Sequence, residues 1–131
     1  MSFIDHPRFL RTVLVVDAAT CVATGALMSF GATALAGLTR LPETLLFGAG
    51  LSLFPIAAFI GLVASRPSAA GVWVVVLGNV GWVIGSLLLL VDSPAPNALG
   101  IAFVIVQAIA VAALAELEVV GLRRLPVARA V

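Results

Sequence analysis

Four apolar runs occupy most of this 131-residue chain, at residues 10–31, 42–65, 71–91 and 97–121. Each run is close to the ~20 residues that an α-helix needs to cross the hydrocarbon core of a membrane. Only 10% of the residues are charged and the mean hydropathy is +1.26, which lies outside the range of soluble globular domains. The sequence therefore predicts a single integral membrane domain over residues 1–131, all-α, with four transmembrane helices.

The breaks between the apolar runs are short and carry turn-forming residues. They read TRLPE at residues 39–43, SRPSAAG at 65–71 and DSPAPN at 92–97. Pro42 directly precedes Glu43, and Ser93 and Asn97 flank the prolines before the fourth run, which is typical of helix starts. Short connections favour neighbouring antiparallel helices, so we expect an up-and-down four-helix bundle.

The basic residues predict the orientation of the chain, and all seven of them are arginine. Arg40 is the only basic residue in the first and third loops. The other six lie in the N-terminal segment, the second loop and the C-terminal segment: Arg8, Arg11, Arg66, Arg123, Arg124 and Arg129. Because cytoplasmic loops of membrane proteins are enriched in Lys and Arg, we expect both termini to be cytoplasmic in a bacterial inner membrane.

The sequence lacks the residues that several classes of protein function require. A single cysteine, Cys21, cannot form an intramolecular disulfide, and a single histidine, His6, cannot build a histidine-based metal or haem site in one chain. The sequence contains no nucleotide-binding loop, no nucleophile with its base, and no basic patch with interleaved aromatic residues. We therefore predict no enzyme activity, no cofactor or metal, and no nucleic-acid partner.

Asp17 lies inside the first apolar run, in the stretch LVVDAATCVATG. A charged group at membrane depth is costly, so such a residue is a candidate functional site. At helical spacing it shares a polar and small face with Thr20, Cys21, Thr24 and Met28. The threonines are expected to bond their own helix backbone, as buried hydroxyls in helices commonly do.

Polar residues from three helices are expected at one depth. Asp17, Asn79 and Glu116 each lie roughly 9–12 Å inside the same end of the bundle at 1.5 Å rise per residue. We expect Glu116 to face the bundle and Glu118 to lie nearer the headgroups, beside Arg123 or Arg124. Two carboxylates at one depth repel each other, so one is expected to be protonated near neutral pH. The full set of predicted ligand or proton-site residues is Asp17, Thr20, Asn79, Trp82, Gln107 and Glu116.

Small residues on the second and third transmembrane helices predict close helix packing. On the third helix they are Gly71, Gly78, Gly81 and Gly85, and on the second they are Ala57, Gly61 and Ser65. Pro55 lies near the middle of the second helix, removes one backbone hydrogen bond, and is expected to kink it as a hinge.

A group of small, uncharacterised bacterial four-helix inner-membrane proteins resembles this chain in its apolar segments. The segments are GLSLFPIAAFIGLVA, VWVVVLGNVGWVIGSLLLL and PNALGIAFVIVQAIAVAALAELEVVGLRR. The resemblance implies fold and location but no activity.

The small multidrug resistance transporters, which are dimers of four-helix chains, are similar in a looser way. They use an acidic residue in the first helix and a tryptophan in the third, and Asp17 and Trp82 occupy similar places. That family uses glutamate, its flanking motifs are absent here, and Glu116 and the long first loop depart from its pattern. This second resemblance implies an analogy of mechanism only.

Two functions from different classes fit these observations. The first is a proton- or cation-coupled carrier of a small hydrophobic or cationic molecule, with Asp17 as the coupling carboxylate. The second is a non-catalytic interaction or lipid-binding protein that oligomerises through its glycine and small-residue faces. A purely structural role for Asp17, paired with Arg11 or Arg123 and bonded to Asn79, would fit the second function.

Overall fold

The computed structural model describes residues 8–92 and 96–124, which contain five α-helices and no β-strand. Their bounds are α1 Phe9–Phe30, α2 Ala32–Thr39, α3 Glu43–Ser65, α4 Ala69–Asp92 and α5 Ala98–Arg123. Helices α1, α3, α4 and α5 are each long and apolar enough to cross a membrane. The all-α class and the four long apolar helices are therefore confirmed, and the chain has the properties of a multi-pass membrane protein. Three residues named above, His6, Ser93 and Arg129, lie outside the described residues.

The long helices begin and end within two residues of the four apolar runs. The additional helix, α2, was not predicted from the sequence. It follows α1 after a break at Gly31 and ends at Thr39, because the next residue, Arg40, has a left-handed φ of 61° that stops the helix. What the sequence presents as a long first loop is thus mostly helical.

Side chains and backbone groups fasten the far end of α2 to the beginning of α5. The Asn97 side-chain amide donates to the Leu38 carbonyl at 2.7 Å, and the Asn97 backbone N–H donates to the Thr39 carbonyl at 3.2 Å. The Asn97 side-chain oxygen also accepts from the Gly100 N–H at 2.9 Å, which caps α5. One asparagine therefore starts α5 and fixes the loop that precedes α3.

Helix packing is uneven around the molecule. Helix α1 packs most extensively on α3, α4 packs on α5, and α1 also contacts α5, whereas α3 and α4 contact each other sparsely. The order of packing is thus α3, α1, α5, α4, with a groove left between α3 and α4. This groove contains the cavities described below.

Helices α1 and α3 cross closely at Gly25 and Gly50. A Cβ on Gly50 would lie 2.7 Å from the Ser29 backbone nitrogen and 3.0 Å from the Gly25 carbonyl oxygen. Both helices need glycine here because no side chain fits between the two backbones. Neither glycine belongs to the small-residue faces that the sequence indicated.

Candidate functional site

A buried polar cluster joins three helices through the side chain of Asn79. The Asn79 amide nitrogen Nδ2 donates to Asp17 Oδ2 at 2.9 Å and to Glu118 Oε1 at 2.8 Å. Asp17 is 1% exposed and Glu118 is 0% exposed. The cluster thus places two acidic side chains, from α1 and α5, on one neutral donor from α4.

The sequence-based placement of the two glutamates was wrong. Glu118 is buried in the cluster, whereas Glu116 is exposed. Two residues apart on a helix means about 200° of rotation, so only one of them can face inward. Ile105 and Ile109 lie on the same side of α5 as Glu116 and are also exposed, because apolar side chains on a membrane helix can face lipid.

The two glycines of α5 lie on its inner face, whereas its alanines occupy both buried and exposed positions. The buried residues of the helix are Gly100, Val104, Ala108, Ala115, Glu118 and Gly121. A Cβ on Gly121 would lie 2.9 Å from Leu10 Cδ1, so α1 and α5 approach closely next to Glu118. Gly100 and Gly121 lie on the same side of α5 as Glu118, so the glycines alone point to Glu118 in the sequence.

Neither carboxyl group has an arginine as its hydrogen-bond partner among the contacts that the described residues show. Arg11 instead donates from Nε to the Ala64 carbonyl at 3.1 Å and from Nη2 to the Ser65 carbonyl at 3.4 Å, so its charge lies at the C-terminal end of α3. Asp17 Oδ1 receives a weak contact from Cys21 Sγ at 3.8 Å. The structural role considered for Asp17 required a bond to Asn79 and an ion pair with Arg11 or Arg123. The bond to Asn79 is present, whereas Arg11 caps the C-terminal end of α3 instead.

One oxygen of the cluster has no donor. Glu118 Oε2 is buried without a hydrogen-bond partner in the described part of the chain, and the Glu118 and Asp17 carboxyl groups are neighbours because both accept from the same Asn79 nitrogen. Two ionised carboxylates cannot bond each other because both only accept. A proton on either group would supply the missing donor.

A cavity of about 400 Å³ reaches the cluster from the groove between α3 and α4. Asp17, Cys21 and Asn79 are among its lining residues, and most of the others, such as Phe59 and Val74, are apolar. Phe59 and Val74 are also exposed at the outer surface, so the cavity opens sideways, where lipid would lie. Its volume lies within the range of small-molecule sites, and such sites are commonly apolar with a few polar groups.

A second hydrogen-bonded group lies farther along the same groove. Trp82 Nε1 donates to Gln107 Oε1 at 2.6 Å, and Gln107 Nε2 donates to Ser86 Oγ at 2.9 Å and to the Val104 carbonyl at 2.9 Å. Trp82 and Gln107 line the first cavity and also a second one of about 700 Å³. The structure therefore brings these two predicted site residues together, away from the carboxyl cluster.

The glycines at positions 78, 81 and 85 of α4 line cavities and make no close contact with another described helix. No described atom lies within 4 Å of a Cβ added to Gly78, Gly81 or Gly85, and the same holds for Gly61 on α3. Gly78 lines the first cavity, and Gly81 and Gly85 line the second. Within the described part of one chain these positions thus make no close helix contact, and a packing role against another chain stays a prediction.

Of the remaining small residues, two pack and one does not. Gly71 lies against Val63, since a Cβ added to Gly71 would lie 3.2 Å from the Val63 methyl carbons, and Ala57 is buried. Ser65 is exposed and donates to the Leu62 carbonyl of its own helix.

The other predicted positions lie close to the first cavity. Thr20 lines it but donates its hydroxyl to the Asp17 backbone carbonyl at 2.8 Å, as expected for a helix threonine. Pro55 also lines this cavity, and α3 continues through it from Glu43 to Ser65. A hinge at Pro55 stays a prediction.

Comparison with known protein families, curated proteins and solved structures finds no match for this chain. No residue role is therefore carried over from another protein.

Proposed function

We propose that this protein is a proton- or cation-coupled carrier of a small hydrophobic or cationic molecule in a bacterial inner membrane. The Asp17–Asn79–Glu118 cluster is its coupling site, both termini face the cytoplasm, and the protein is not an enzyme. The orientation follows from the excess of arginine in the terminal segments and the second loop. The carrier role rests on one observation, which is a buried carboxyl pair of which one member, Asp17, lines a cavity open to the groove.

The carboxyl pair suits proton coupling because of how it is neutralised. Removing both protons would leave two negative charges in a low-dielectric environment with one shared neutral donor, which is strongly unfavourable. With one proton kept, a hydroxyl on Glu118 donates to Asp17 and the unpartnered oxygen is satisfied. The pair therefore holds one proton and carries a single negative charge.

Ligand and proton compete for this site. Asp17 forms part of the cavity wall, so a positive group entering the cavity lies beside the pair. The added positive charge favours loss of the shared proton to water, and reprotonation favours release of the ligand. Opposite movements of proton and ligand across the membrane follow when the site opens to each side in turn.

The test uses purified protein in vesicles that contain the pH-sensitive dye pyranine. An inward gradient of hexyltrimethylammonium is expected to drive proton efflux through the wild-type protein. Asp17→Asn and Glu118→Gln are each expected to reduce this efflux to the level of protein-free vesicles. The matched control is Glu116→Gln, which changes an exposed carboxyl two residues away on the same helix and leaves efflux unchanged.

Two results would contradict the proposal. Wild-type rates in both cluster variants would remove the carboxyl pair from the mechanism. Equal losses in Glu116→Gln and Glu118→Gln would show that negative charge near the membrane surface, and not the buried pair, controls the flux.

A second candidate is a non-catalytic interaction or lipid-binding protein. The unfilled space beside Gly78, Gly81 and Gly85 favours it, because an exposed glycine face suits close contact with another helix. In this case Gly81→Leu would convert an oligomer into a monomer, measured by light scattering in detergent. A carrier that acts as one chain would keep the same mass in that variant.

A further inference from the structure

The groove between α3 and α4 is divided into two compartments by a single pair of side chains. The compartment that contains Asp17 measures about 400 Å³, and the one on the other side measures about 700 Å³. Only Trp82 and Gln107 are shared by the two linings. These two side chains are therefore the partition between the compartments.

The partition is held in place by polar contacts in otherwise apolar surroundings. The indole N–H is bonded to the Gln107 oxygen, and both Gln107 amide contacts hold the carboxamide against Ser86 and the α5 backbone. Breaking these bonds without water nearby leaves polar groups unpaired, which is costly. A ligand that pushes the indole aside therefore binds less well than one that fits beneath it.

The two compartments also differ in chemistry. The first has the acidic residue Asp17 in its lining, whereas the second is lined by apolar side chains such as Leu45, Leu46 and Phe103, with small polar groups at Ser86 and the partition. A ligand with one cationic head and an apolar chain fits this arrangement. Its head lies at Asp17 and its chain extends towards Trp82.

We propose that Trp82 and Gln107 set the maximum length of the ligand, which is an amphipathic ammonium compound bound head-first at Asp17. This inference rests on the proposed function, because it takes Asp17 as the site of the cationic group. Trp82 and Gln107 are specificity-determining residues in this scheme. Removing either of them joins the two compartments into one long groove.

The experiment measures the affinity of alkyltrimethylammonium ions by isothermal titration calorimetry in mild detergent, from the butyl to the decyl compound. In the wild type, affinity rises roughly fourfold per added methylene until the chain reaches Trp82, and then stops rising. In Trp82→Leu the rise continues at about the same factor into the longer compounds. Gln107→Ala is the second enlarged variant, with the same expected continuation.

The chain offers a matched control at its only other tryptophan. Trp73 lies on the same helix, is exposed and lines neither cavity, so Trp73→Leu is expected to keep the wild-type limit. Asp17→Asn locates the head and is expected to weaken binding of every compound in the series.

The outcomes separate this inference from the proposed function. If Trp82→Leu and Gln107→Ala keep the wild-type length limit while Asp17→Asn weakens binding, the partition does not set length and only the inference fails. If no compound binds, or if Asp17→Asn leaves every affinity unchanged, the cation site fails and both proposals fail with it. If no compound binds and light scattering shows that the wild-type protein is a dimer, the groove would be assigned to a second copy of the chain.

Discussion

Asn79→Leu is expected to lower the free energy of unfolding by about 2–4 kcal/mol, because it removes a donor shared by two buried carboxyl groups. Asp17 Oδ2 and Glu118 Oε1 both lose their bond to the amide, and Glu118 then has no hydrogen-bond partner among the described residues. The measurement is unfolding by sodium dodecyl sulfate from mild detergent, followed by circular dichroism.

The informative comparison removes the whole cluster. In the triple variant Asp17→Leu, Asn79→Leu, Glu118→Met, no polar group remains to be desolvated, and apolar residues of similar size fill the space. Replacing a buried charged cluster in this way is often neutral or stabilising. We expect the triple variant to be at least as stable as the wild type while transport is lost.

This comparison distinguishes a functional cluster from a structural one. If polar residues are kept for activity at a cost to the fold, their removal stabilises the protein. A triple variant as unstable as Asn79→Leu alone would mean that the cluster holds α1, α4 and α5 together, and the carrier proposal would lose its main support.

The same cluster shows which parts of the site the sequence could predict. Asp17 and Asn79 were identifiable because polar residues are rare at membrane depth and the helix ends fix their level. To decide whether Glu116 or Glu118 belongs to the site, one must know which face of α5 points into the bundle. On a membrane helix this face is not marked by hydrophobicity, since both the lipid-facing and the buried residues are apolar.

The fold was more predictable than the site for a physical reason. A run of ~20 apolar residues bounded by turn residues has essentially one stable form in a bilayer, so helices α1, α3, α4 and α5 follow from the pattern. Helix α2 is too short to carry that signal. The groove between α3 and α4 could not be predicted from the sequence. Glycines such as Gly81 and Gly85 are equally compatible with a close helix contact and with a cavity wall.

Gly50→Ala is expected to destabilise the protein by about 1–3 kcal/mol, the cost of overpacking a tight contact. The new methyl group would lie 2.7 Å from the Ser29 nitrogen, 2.9 Å from Met28 Cβ and 3.0 Å from the Gly25 carbonyl oxygen. Two of these neighbours are backbone atoms, so α1 and α3 must separate to make room. A larger residue such as leucine is expected to prevent their pairing altogether.

Gly61→Ala on the same helix is the matched control and is expected to have the opposite sign. No described atom lies within 4 Å of its added Cβ, so the substitution gains only helix propensity, about 0.5–1 kcal/mol. Unfolding curves of the two variants in the same detergent give both values. If Gly61→Ala were the more destabilising of the two, the Ala57, Gly61 and Ser65 face would pack against a partner in the assembled protein, and the second candidate function would gain direct support.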